Sequence, residues 1–336
     1  MLIYFRTGFV QKMYDVPSVS VIIPVKEINE YARDAVEQVH RFFPACEILL
    51  VPDHDSGEEL PGTKVVCSFP ITAPGGKRDL ASKIATGEIL AFLDDDAYPS
   101  EGWLSSVFGH FEDESVAGVG GPGITPPSNN SRQRSSGWAL ASVLGSGSSA
   151  YRFRSGRRRD VDDFPSMNLL VRRSDFLAVG GFDSPYWPGE DTELCRKLIS
   201  SLNKRIVYEP DAVVYHHRRP VFAAHLRQQA RYGLHRGHFA RRFAGNSRRI
   251  AYAIPTIFTI GIVIGPIFAT MSGLGFALYI GAVGLYFAAL VATGAWVWWH
   301  ERDVWVVLLT IGAIFSTHIA YGIAYVKGLL SPELSH

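Results

Sequence analysis

From Ile250 to Trp299 the chain carries no Asp, Glu, Lys or Arg. Nothing else in the sequence restricts its folding so strongly, because roughly 20 apolar residues suffice to cross a bilayer. Ser272-Gly273 interrupts the run, so two spans are expected, over 250–271 and 274–297, joined by a tight turn. A polar segment, WHERD (Trp299–Asp303), follows, and 304–326 reads as a third span, which places the membrane region at 250–328 and a short tail at 329–336. Pro255 and Pro266 should kink the first helix, a fault that neighbouring helices can absorb.

The basic residues suggest an orientation. Arg241, Arg242, Arg248 and Arg249 precede the first span and Arg302 separates the second from the third. On the positive-inside rule these segments face the cytoplasm, and residues 1–249 with them. Ser272 and the tail SPELSH are then expected outside. The opening MLIYFRTGFVQKMY has only brief apolar patches and no signal-peptide pattern. Three scattered cysteines, Cys46, Cys67 and Cys195, fit a reducing compartment better than a disulfide framework. A formal net charge of +1 argues against a nucleic-acid partner on bulk charge.

Residues 1–249 read as an α/β domain. Val19–Val25 is a β-branched run suited to a buried strand, and Ala32, Val36, Val39 and Phe43 then recur at helical spacing. Strands are expected at Glu47–Val51, Lys64–Phe69 and Glu88–Leu93, with a helix over Lys77–Thr86 opened by Gly75-Gly76. Val116–Gly123 is a further strand. This alternation predicts a largely parallel sheet, whose ligands bind beyond the carboxyl ends of its strands. Residues 128–159, rich in Ser, Gly and Arg, read as a long mobile loop, and 221–249 as an interfacial helix.

At the end of Glu88–Leu93 stand three consecutive carboxylates, Asp94, Asp95 and Asp96 (FLDDDAYP). They are either a solvated acidic turn or hard oxygen ligands that hold a divalent cation against a phosphate. Repulsion among them favours a counter-charge.

Several motifs, in order, resemble the inverting family 2 glycosyltransferases, which have a GT-A fold and, in many members, a membrane-anchored carboxyl end. They are VSVIIPV, VPDHDS, GGKRDLASKIATGEILAFLDDD, MNLLVRRSDFLAVGGFD, PGED and QQARY, the last similar to QxxRW with Tyr in place of Trp. The resemblance implies a nucleotide-diphosphate sugar as donor and Mn²⁺ or Mg²⁺ as cofactor. It gives Pro24, Glu27, Asp53, Arg78, Asp94 and Asp95 to the nucleotide sugar, and Asp96, Asp94 and His216 to the metal. Asp191 would be the base that takes the acceptor proton, supported by Glu190. Helix capping is the competing use of that pair. Gln228, Arg231, Tyr232 and Trp187 fall on the acceptor or diphosphate side.

Lys77, beside Arg78, is either a diphosphate contact or a solvated helix start. The arginine runs RFRSGRRR (152–159) and 227–249, interleaved with Tyr232, Phe239, Phe243 and Tyr252, are either solvated faces or grips for anionic lipid and phosphate. His225, His235 and His238 read as interfacial polar residues. The expected activity is transfer to a lipid-linked acceptor, such as a polyprenyl phosphate or diphosphate, in envelope glycan or glycolipid synthesis. A processive polysaccharide synthase, a polyprenyl-phosphate sugar synthase and an inactive nucleotide-sugar-binding scaffold are the alternatives.

Overall fold

The computed structural model describes residues 17–184, 188–242 and 249–332. The opening MLIYFRTGFVQKMY, Trp187, Phe243, Arg248 and most of the SPELSH tail lie outside these residues.

The chain enters through β1 (Val19–Pro24), buried along its whole length, and α1 (Glu30–Phe42). Asn29 caps α1, its side chain accepting from the Ala32 amide, and the helix buries Ala32, Ala35, Val36 and Val39 on one face. β2 (Glu47–Val51), a short β3 (Thr63–Val65), α2 (Pro74–Ile84) and β4 (Ile89–Leu93) follow. The third strand stops before the expected Lys64–Phe69 is complete, because Ser68 turns its amide and hydroxyl onto the Pro52 carbonyl. β5 (Ala97–Pro99), β6 (Val116–Gly120) and β7 (Gly123–Ile124) come next.

The expected mobile loop over 128–159 is corrected. It folds into α3 (Ser131–Ala141) and α4 (Val143–Ser146), followed by a 3₁₀ segment over Gly147–Arg152. A reciprocal Asn130–Gln133 capping box starts α3, and its apolar partners lie far along the chain, so no local periodicity announces it. β8 (Arg159–Val161), β9 (Asn168–Arg172), α5 (Arg173–Ala178), α6 (Glu190–Leu202), β10 (Arg205–Tyr208) and β11 (Val214–His216) complete the domain.

The main sheet has the order β3-β2-β1-β4-β9-β6-β10-β8. β8 and β9 run against the other strands, so the sheet is mixed, with β9 antiparallel between β4 and β6. Both faces are covered. One buries Val21, Ile23, Trp103 and Leu170, and the other Ile22, Phe92, Phe176 and Leu194. Phe92 is fully enclosed between Phe176 and Phe182, so truncating it to Ala should cost about 3–5 kcal/mol. A small second sheet, β5-β11-β7, lies beyond the carboxyl end of β4.

Beyond the sheet run α7 (Ala223–Arg242), α8 (Ile250–Met271), α9 (Gly273–Glu301) and α10 (Val304–Leu330). The last three are long and apolar enough to cross a membrane. α8 continues through Pro255 and Pro266. α9 and α10 extend past their expected ends at 297 and 326, as far as the WHERD segment and Leu330.

Candidate active site

The acidic run of β4 and the strand β11 are placed by backbone pairing. Ala97 pairs with His216 across β5 and β11, and the His217 amide donates to the Asp96 carbonyl at 2.8 Å. His216 Nε2 therefore lies 2.9 Å from Asp96 Oδ1. Ligand atoms of Asp94, Asp96 and His216 all fall within 4.8 Å of one another. Two carboxylate oxygens and an imidazole nitrogen form a donor set that suits Mn²⁺ better than the oxygen-preferring Mg²⁺, so these residues fit an implied divalent metal. Burial would raise the Asp96 pKa, but His216, Arg219 and Arg218 outweigh it and hold the carboxyl below its ordinary value. Asp95 differs. Burial first, then Asp96 and Asp94, pushes it up to about 6, while Asn29 Nδ2 donates to it at 3.2 Å.

Arg78 extends from α2 into the middle of the site. Its guanidinium donates to Asp94 Oδ1 at 2.6 Å and lies 3.8 Å from Glu190 Oε1. Gly75 allows this approach, because a Cβ there would press on Glu190 Cγ at 3.2 Å. Glu190 and Asp191 open α6. Glu190 is pushed up to about 7, by burial first and then by Asp191, against the pull of Arg78. Asp191 is also raised, by burial and then by Asp163, while its Oδ1 accepts from the Thr192 amide at 2.8 Å. Carboxyls whose pKa is raised suit general-base work.

Lys77 is not a solvated helix start. It is 2% exposed, donates to the Val25 carbonyl at 2.6 Å and forms an ion pair with Asp53. It thus holds Asp53 beside the end of β1, where Pro24 lies buried. Glu27 stands outside this cluster, its side chain 80% exposed and 3.9 Å from Lys26.

On α7, Gln228 Nε2 lies 3.4 Å from the Tyr232 hydroxyl. The Tyr232 side chain is 43% exposed, yet its hydroxyl pKa is raised, by burial of the hydroxyl first and then by Asp191 and Asp94, which places the QQARY motif beside the same acidic site. Arg231 is exposed on the same helix. His225, His235 and His238 are buried rather than interfacial.

The arginine run 152–159 does not form one surface. Arg152 is buried against Asp163 at 3.3 Å, Arg158 pairs with Glu209 at 2.7 Å, and Arg154 and Arg159 lie over the rings of Trp296 and Tyr151. Asp163 was not singled out by the sequence. It also takes Arg236 at 2.6 Å and the Thr192 hydroxyl at 2.9 Å, and these partners together hold its pKa far down against burial. Its only sequence signal is an acidic pair, Asp162-Asp163, after the arginines. Arg218 is a second omission. Buried beside the Asp94, Asp96 and His216 cluster, it donates to His216 Nδ1 at 2.9 Å and to Thr125 Oγ1 at 3.2 Å.

Comparison with known proteins gives consistent results. Residues 89–317 match a family described as glycosyl transferase family group 2. The pre-mycofactocin glycosyltransferases of two Mycobacterium tuberculosis strains (CDC 1551 / Oshkosh and H37Rv) are each 34% identical over 160 residues, 48% of this chain and 33% of theirs. The chain thus spans about a third of the length of the curated relatives it matches. A solved mannosyltransferase, PcManGT from Pyrobaculum calidifontis in complex with GDP-Man and Mn²⁺, aligns with a TM-score of 0.54 at 18% identity. That alignment covers 96% of this chain and 92% of the other.

Proposed function

Because the chain belongs to glycosyl transferase family group 2, we propose that it transfers a sugar, with inversion, from a nucleotide-diphosphate donor to a membrane-lipid-linked acceptor. Its catalytic domain has the GT-A fold, and its apolar helices associate it with a membrane. One observation carries the mechanism. Arg78 touches both Asp94 of the metal-ligand cluster and Glu190 of the carboxylate pair, so donor and acceptor chemistry meet at one guanidinium.

Asp53, neutralised by Lys77, is positioned to accept from base N–H groups, and Asp95 with Asn29 borders the donor on the other side. Asp94, Asp96 and His216 would hold Mn²⁺ or Mg²⁺, which when bound neutralises charge on the departing diphosphate. Asp191 removes the proton from the acceptor hydroxyl as it attacks the sugar carbon opposite that leaving group. Glu190, beside it, faces the positive charge of Arg78, which offsets its own negative charge when it is ionised. Tyr232 and Arg231 line the acceptor side. The catalytic domain faces the cytoplasm in this reading, where nucleotide sugars are found.

A second reading is favoured by the relative whose name is pre-mycofactocin glycosyltransferase: the acceptor is pre-mycofactocin or a molecule like it, not a lipid-linked one. One experiment separates the two. Membranes containing the protein are incubated with labelled GDP- and UDP-sugars and Mn²⁺, then extracted with organic solvent. Label in the lipid extract supports the first reading, label confined to small aqueous products supports the second, and label in neither defeats both.

A further inference from the structure

The three apolar helices share a composition but not their surroundings. Within their most apolar stretches, 11% of α8 and 6% of α9 is buried inside the protein, against 39% of α10. The catalytic domain and α7 meet α10 from end to end. At its start, Asp303 caps the first turn and pairs with Arg134 of α3 at 2.9 Å, while Ser135 Oγ donates to the Val306 carbonyl at 3.2 Å. In the middle, His225 of α7 sits between Ser136 Oγ and Thr317 Oγ1, each at 2.8 Å, and His318 Nε2 donates to the Leu144 carbonyl of α4 at 2.9 Å. Near its end, Gly328 passes so close to the Leu234 carbonyl that no Cβ would fit, and Arg241 donates to the Leu329 carbonyl at 3.3 Å.

A helix of 27 residues is about 40 Å long, more than the roughly 30 Å of bilayer hydrocarbon. If α10 crossed the membrane from the catalytic side, its second half would lie deep in lipid, and α7 would lie there with it. α7 cannot do so without carrying charge. Arg227, Arg231 and Arg241 are exposed on it, and Arg236 is paired with Asp163 behind the candidate base. A charge at membrane depth is costly, because nothing there replaces its water. The rest of α10 meets α8 and α9 around Phe315, His318 and Gly322 and otherwise exposes Val304, Leu308, Ile323 and Leu330, apolar residues at helical spacing towards its two ends. Lys327, near its end, is exposed and long enough to reach headgroups.

We infer that α10 does not cross the bilayer but lies along its surface, between the catalytic domain and the acyl chains, and that α8 and α9 alone traverse it. Both ends of α10 then stand on the catalytic side, whereas the sequence alone placed Ser331 and Pro332 opposite. The site thereby rests on a helical floor at the lipid surface, formed by α7 and α10. This placement goes beyond the transfer reaction and does not depend on it.

Cysteine accessibility in sealed vesicles of known orientation tests it. Lys327→Cys, Pro332→Cys and Met271→Cys are each treated with a membrane-impermeant maleimide, and labelled peptides are identified by mass. Native Cys67, exposed, reports the catalytic side. Positions 327 and 332 should be labelled in the same vesicle orientation as Cys67, and position 271 only in the opposite one. Labelling of 327 and 332 together with 271 and not with Cys67 would overturn the inference. The outcome is read without any sugar donor, so it stands or falls apart from the proposed activity.

Discussion

His216 Nε2 lies 2.9 Å from Asp96 Oδ1, though 120 positions separate them in the chain (216 − 96), because β11 pairs antiparallel with β5. This contact joins the second sheet to the acidic end of the first, and a divalent cation would replace the shared proton. Asp96→Asn should abolish Mn²⁺ binding, measured by electron paramagnetic resonance, and transfer with it. His216→Gln should weaken binding by more than the roughly 10–100-fold that loss of an outer partner of a ligand causes. Full Mn²⁺ affinity in Asp96→Asn would remove the metal site.

The base is tested by a split between binding and turnover. Asp191→Asn should keep donor affinity and lose about 10²–10⁴-fold in kcat. After burial, Asp163 is the next cause that raises Asp191. Removing its charge leaves Arg152 and Arg236 facing Asp191, so the base should ionise more readily. In Asp163→Asn the acidic limb of the kcat/KM profile should therefore move to lower pH. A limb that stays in place would show that Asp191 is not the titrating base.

Glu190 links the site to stability. Its folded pKa, about 7, lies above the ordinary 4.5. The folded state therefore holds this proton more tightly, and the stabilisation is full below about pH 4.5 and lost as pH rises towards 7. Glu190→Gln should flatten that dependence. Its Tm, relative to wild type, should climb between pH 5 and 7, and a constant difference would count against the assignment.

Lys77→Met leaves Asp53 buried without its counter-charge and should cost about 3–5 kcal/mol. Adding Asp53→Asn should recover much of that stability while donor binding remains lost. Calorimetric unfolding and nucleotide titration of the same samples distinguish the two effects, and a double variant with normal donor affinity would free Asp53 of its role.

Arg231→Ala should raise the acceptor KM far more than the donor KM, because Arg231 shares a helix with Tyr232, which faces the carboxylates. Replacing Arg157 and Arg158, exposed at the far end of the 152–159 run, should do less, and that effect should shrink at high salt. An equal rise in both KM values for Arg231→Ala would place it elsewhere.

The sequence by itself determined the parts that depend on neighbours a few positions away. The β-branched runs of β1, β2 and β4, the three carboxylates ending β4, the PGED start of α6 and the uncharged stretch after Ile250 all follow from local pattern and covalent order. Tertiary structure decided the rest, because charges and hydrogen bonds satisfy one another across distances that periodicity does not encode. Only the folded chain buries Lys77 on Asp53, divides the arginine run 152–159 among Asp163, Glu209 and aromatic rings, and turns residues 131–152 from an expected loop into helices against α10. Only it sets α10 beneath the catalytic domain: hydropathy measures how well a helix tolerates lipid, whereas the partners along its other faces determine which way it lies.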